Sequence, residues 1–240
     1  MRAKMLRSAE AAGIAVAEER YGRGRGEGLS PRGYHNAPHA ELVVRSVRLL
    51  LGTSAGSGLS DTDRELLPVA AAWHDAVYEP GRDDNEARSA EELSAWMLQE
   101  GFGEQEAQRA SELVMATAAR IGDAVHGYSL CQSATDPAGA LLCDADVSSW
   151  GLPWPEFIPW WHGLACEIAG RADFVEDFGA LPVDLVRGFL AGQADLLAGH
   201  HYLTPAAETL WGAQRNRNAL LTRELLEGLE STVPPPGIPS

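Results

Sequence analysis

Apolar side chains recur along this chain at spacings of three and four, and no stretch alternates convincingly with the period of two that marks a half-buried strand. The periodicity predicts helices over about residues 4–20, 38–51, 83–101, 104–120, 137–150, 155–170, 183–197 and 205–229. Ser60, with Asp63 three residues on, supplies a capping-type start for a further helix through Val77. The glycine-rich stretch Tyr21–Gly33, the run GTSAGSG after Leu51, Pro80-Gly81 and Ile121–Asp136 read as loops. The fold class expected is therefore all-α, a helical bundle of roughly eight to nine helices. One domain over residues 1–230 is the economical division, with a core at 34–150 and packing helices at 155–229. The proline-rich tail, 231–240, is expected to be disordered.

Three of these helical faces carry residues that do not belong on an apolar stripe. His39 shares a face with Val43, Val47 and Leu50; His74 with Leu67, Ala70 and Val77; Asp146 with Leu142 and Trp150. A single histidine on such a face is ordinarily a hydrogen-bonded core residue. A buried carboxylate is harder to accommodate, because it needs a partner or a cation. Three such faces in one helical protein favour a shared site, and two imidazoles with two carboxylates make a mixed nitrogen and oxygen set suited to a divalent metal. Asp75 stands beside His74, and Asp144 competes with Asp146 for the last position.

The segments that hold these residues are YHNAPH (His35, His39), WHDAVYEPGRDDNEARSA (His74, Asp75), LLCDADVSSWG (Asp144, Asp146) and YLTPAAETLWGAQRNRNAL. Their order and wording resemble the HD superfamily of metal-dependent phosphohydrolases, closest to its small bacterial branch, from about Tyr34 to Leu225. The resemblance implies an HD-type helical domain and metal ligands His39, His74, Asp75 and Asp146, with Asp144 as the alternative fourth. It implies one divalent ion, with Mn, Fe, Co, Ni, Mg and Zn all compatible with the donors, and attack of an activated water on a phosphoester of a nucleotide or other small phosphometabolite. Besides Asp75, Glu86 and His35 are the candidates for proton handling. Arg82 and Arg88 are the nearest cations for phosphate oxygens, and Asn85 and Ser89 match the branch's NE-x-x-SA element. Each has an ordinary alternative: a helix-start acid for Glu86, a loop-to-helix hydrogen bond for His35, a solvated surface for the arginines. Only His126 lies between the doublet and the final aspartate, which favours a mononuclear site. Two other functions share the metal: an HD-type di-iron oxygenase, and a non-catalytic nucleotide-binding module.

Charge and composition narrow the partners. The net charge of −15 argues against a nucleic-acid duplex or a membrane surface, both of which need basic patches. A small phosphorylated substrate is compatible, because a bound dication and a few arginines override the global field locally. No apolar run approaches the roughly 20 residues of a membrane span, and Glu10, Glu18 and Glu19 interrupt any signal-peptide core. Three cysteines without CxxC spacing point to free thiols and a cytoplasmic location. A homodimer is the assembly expected if the chain is not monomeric. GxSxG, GxGxxG and P-loop patterns are absent.

Overall fold

Capping side chains set where several helices of this chain begin. The computed structural model describes residues 1–22, 32–118, 120–121, 130–131, 136–171 and 178–232. Asn36 accepts the backbone N–H of His39 at 3.1 Å and opens the helix Ala37–Leu51 (α2), which follows α1 (Arg2–Tyr21). A single turn, Ser54–Ser57 (α3), precedes Ser60, whose hydroxyl accepts the Asp63 N–H at 3.0 Å to start α4 (Asp61–Trp73). Then come α5 (Asn85–Gln99) and α6 (Glu104–Ala116). Asp136 accepts from Ala138 and Gly139 to start α7 (Pro137–Asp146), which tightens into a 3-10 turn at Val147–Gly151. The remainder is α8 (Trp154–Ile168), α9 (Val183–Gly199), a turn at Pro205–Ala207 (α10) and α11 (Ala213–Thr232).

The fold is all-α, as the periodicity predicts. One antiparallel rung of strand, Arg120–Ile121 against Leu130–Cys131, lies in the segment read as a loop, and two residues are too few to show an alternating pattern. His126, the early glycine-rich residues 23–31 and the tail from 233 onward lie outside the described residues. Two predicted helices end early. The helix expected through Val77 stops at Trp73, and the one expected to reach 120 stops at Ala116. The last predicted helix is interrupted by a π-helical turn at Glu208–Gly212 before α11. No described helix is long and apolar enough to cross a membrane.

Helix α4 occupies the centre. It packs against α1, α2, α6 and α7, and Leu66, Leu67, Ala70 and Ala71 are fully buried. Whatever follows Trp73 therefore emerges inside the molecule, facing the first turn of α2 and the last turn of α7. α9 and α11 pair with each other, and Asn218 of α11 donates to the carbonyls of Trp150 and Leu152, both at 2.8 Å.

Candidate metal centre

Adjacent residues in a helix point about 100° apart, so an intact helix cannot aim both members of a His-Asp doublet at one point. The chain resolves this by ending α4 at the doublet. His74 Nδ1 lies 2.8 Å from the Ala71 carbonyl, and the Ala76 N–H turns back to the Trp73 carbonyl at 2.9 Å. Asp75 is thereby swung beside His74. A carbonyl can only accept, so His74 Nδ1 carries the proton in the neutral ring and Nε2 keeps a lone pair.

That lone pair faces a cluster of like atoms. His74 Nε2 is 3.2 Å from His39 Nε2, 2.9 Å from Asp75 Oδ2 and 3.3 Å from Asp146 Oδ1. His39 Nε2 is 3.2 Å from Asp146 Oδ1 and 3.4 Å from Asp75 Oδ2. His39, His74 and Asp146 offer ligand atoms that all lie within 4.8 Å of one another; Asp75 stands outside that group and touches it through both imidazoles. Donors about 2.0–2.2 Å from one ion stand about 2.8–3.6 Å apart in adjacent octahedral or tetrahedral positions, a range that covers the 2.9–3.4 Å found here. His39 and His74 are buried and the two aspartates nearly so.

The electrostatics ask for positive charge. Asp146 ends α7 and Asp75 follows the end of α4, where helix dipoles already disfavour an anion. Burial works against the imidazolium form, yet the charges of Asp75 and Asp146 outweigh it and hold His74 well above the ordinary histidine range. His39 is raised in the same way, by hydrogen bonds to Asp146 and Asp75 that overcome its burial. Burial would lift both carboxyls, but the His74 charge and the imidazole contacts bring Asp146 down to about 2 and Asp75 well below its usual value. A dication satisfies the same field without protons. His39 Nδ1, buried and without a hydrogen-bond partner among the described residues, is the remaining orphan of the group. The residues fit a divalent metal.

Asp144 turns the other way. Its carboxylate accepts from the Leu203 and Thr204 N–H groups at 2.6 and 2.7 Å and from the Thr204 hydroxyl at 2.6 Å, so it braces the start of α10. Asn85 and Ser89 are also occupied with backbone. Asn85 bridges the N–H and carbonyl of Glu79, and Ser89 exchanges hydrogen bonds with both backbone groups of Val77. They shape the loop after the doublet. Arg82 pairs with Asp84 through two contacts at 2.6 Å, and Arg88 pairs with Glu79 at 2.6 Å. Glu86 is half-buried; burial raises its carboxyl, and the charges of Asp75 and Asp146 add to the effect. It lies in the field of the centre.

His35 is placed by residues the sequence did not single out. Glu167, buried on α8, meets its Nδ1 at 2.6 Å, and the His35 ring stacks on Tyr78 with centroids 3.5 Å apart at 14°. Trp160, also on α8, presents an edge to His39 at 6.2 Å between centroids. Arg32 lies over the Tyr21 and Tyr78 rings, 6.0 Å from each, and its buried Nε has no partner among the described residues. A cavity of about 440 Å³ is lined in part by Tyr21, Arg32, Asn36 and Trp160. The one sequence signal for Glu167 is a lone acid in the apolar run WWHGLACEIAG. No family model matches the chain, and no curated protein matches it.

Proposed function

We propose that this protein is a metal-dependent phosphohydrolase of the HD type, cleaving a phosphoester of a nucleotide or other small phosphometabolite. The observation that carries the reading is the convergence of His39, His74 and Asp146, with Asp75 against both imidazoles, at metal-ligand spacing. A divalent ion held there lowers the pKa of water and polarises a phosphoryl oxygen. The chain's own groups do the rest. Glu86, whose carboxyl is raised by burial and by Asp75 and Asp146, is suited to take the proton lost as water attacks phosphorus. The bond to the leaving oxygen breaks as the new phosphorus–oxygen bond forms, and the proton taken by Glu86 passes to the bare Nε2 of His35 and from there to the leaving oxygen.

Substrate binding is assigned to the cavity lined by Arg32 and Trp160, which includes none of the four candidate ligands in its lining and meets the centre through the contact of Trp160 with His39. Its volume, about 440 Å³, is in the range of small-molecule sites. Arg82 and Arg88 are engaged with carboxylates, whereas Arg32 brings to the cavity a buried N–H that has no partner among the described residues and suits a phosphate group. Trp160 offers an aromatic wall for a base or other planar part. A net charge of −15 disfavours a nucleic-acid duplex as substrate. The buried free thiols Cys143 and Cys166 fit a cytoplasmic protein. The donor set leaves Mn, Fe, Co, Ni, Mg and Zn to be separated by assay.

The test is a phosphatase screen of the purified chain over nucleotides and sugar phosphates with each of these metals added. Turnover that depends on metal and disappears in Asp75→Ala is the expected result. Turnover unchanged in Asp75→Ala assigns the activity elsewhere and contradicts the proposal.

A further inference from the structure

One buried carboxylate stands outside the candidate ligand set and has, among the described residues, no basic side chain bonded to it except a histidine. Glu167 is 4% exposed. Its Oε1 accepts the backbone N–H groups of Tyr34 at 2.6 Å and His35 at 2.9 Å, and its Oε2 lies 2.6 Å from His35 Nδ1. Three donors converge on one carboxylate, and together they hold it ionised: burial alone would raise it, but the His35 contact and the two N–H groups bring it below its ordinary value. An ionised carboxylate only accepts, so the His35 nitrogen facing it carries a proton. The backbone contacts leave the ring little freedom, and Tyr78 stacked at 3.5 Å covers one of its faces.

We infer that Glu167 is a positioning residue: it fixes His35 with Nδ1 protonated, so that Nε2 is the nitrogen offered to the reacting groups. His35 Nε2 makes no hydrogen bond to any other described residue, and the ring centre stands 6.1 Å from that of His39. A histidine held by a buried carboxylate beside a metal site is in the arrangement general acid–base chemistry uses, in which the carboxylate selects tautomer and angle without touching substrate. The geometry reaches back to packing. Trp160, Gly163 and Glu167 share one face of α8, and Gly163 lies so close to Gly33 that a Cβ on Gly33 would come within 2.5 Å of the Gly163 Cα. Two glycines facing each other let α8 approach the 33–35 turn closely enough for Glu167 to reach two consecutive N–H groups.

The inference rests on the hydrolase reading only for what His35 does with its free nitrogen; the tautomer itself is measurable without turnover. Long-range ¹H–¹⁵N spectra of the full chain loaded with Zn²⁺ should show His35 protonated at Nδ1, with the downfield ¹⁵N resonance of a bare nitrogen at Nε2. In Glu167→Gln the amide NH₂ can face Nδ1, and the ring should switch to the Nε2-protonated form. Hydrolysis of an aryl phosphate should then fall about 10–100-fold in kcat, with KM and bound metal unchanged, and adding His35→Ala should cost little more. An Nε2-protonated ring in the native chain overturns the inference, as does a Glu167→Gln spectrum identical to the native one. A native chain that leaves aryl phosphates and nucleotides intact sinks the hydrolase reading, and the ¹⁵N spectra still decide Glu167.

Discussion

Asp144 and Asp146 are two residues apart and serve opposite sides of their helix, because two steps of about 100° turn a side chain slightly more than halfway round. Asp146 faces the two imidazoles, and Asp144 faces Leu203 and Thr204. Asp146→Asn should therefore lower metal retention far more than Asp144→Asn, measured as metal per chain after dialysis; the reverse order would contradict the ligand assignment. Asp144→Asn should act on stability instead. An amide cannot accept all three of its present donors, and losing buried partners costs about 1–3 kcal/mol. His200 carries a separate pH dependence. Burial, with the charge of Arg215, lowers it from 6.5 to about 4. A depressed histidine favours the folded state above its unfolded pKa, so stability is full above pH 6.5 and falls as pH drops toward 4, by about 3 kcal/mol over the whole window. Thermal midpoints compared across that window should show the native chain falling relative to His200→Phe as pH drops; a constant difference would contradict the assignment. At this scale His39, His74 and Asp146 were legible in the sequence because a polar residue on an apolar stripe breaks a short-range period, whereas Asp75 entered through its place beside His74 and the family resemblance. Glu167 was not, since its partners Tyr34 and His35 lie more than a hundred positions away and only packing joins them.

The elements show where periodicity misleads. Leu67, Ala70, His74 and Val77 are spaced as one helical face, yet α4 ends at Trp73. The apolar spacing continues past the point where the backbone departs, since Ala76 and Val77 are buried from a turn as well as they would be from a helix. The departure is what lets His74 and Asp75 aim together. The 3-10 turn after Asp146 and the π-helical turn before α11 are invisible to the pattern for a similar reason: they shift hydrogen-bond partners without changing which residues are apolar. α8 offers the sharpest test of an element's position. Gly163→Ala places a methyl where the Gly33 backbone now lies. Overpacking of this kind costs about 1–3 kcal/mol, and it should push Glu167 away from His35. A lowered thermal midpoint together with reduced turnover is expected; a variant that matches the native chain in both would remove the close approach from the account.

Across the molecule, the fold gathers the candidate ligands from three places: the first turn of α2, the break after α4 and the last turn of α7. α4 lies at the centre of the helical packing, and its end is the interior point where the others meet. The C-terminal segment YLTPAAETLWGAQRNRNAL acts as a clamp on this arrangement. Thr204 and its neighbour bind Asp144, Asn218 binds the carbonyls of Trp150 and Leu152, and Gly151 sits against Trp211. The helical class and this segment were readable from the sequence, but which side of α7 the clamp would grip was not, because that is set by the pairing of α11 with α9 and with the turn after α7. The central claim is that one cation belongs among His39, His74, Asp75 and Asp146. Anomalous diffraction from crystals of the full chain grown with Mn²⁺ tests it most directly. A single strong peak about 2.0–2.2 Å from His39 Nε2, His74 Nε2 and a carboxylate oxygen of each aspartate is the result expected. A peak bound elsewhere, or none at those four side chains with Mn²⁺ in excess, would contradict it.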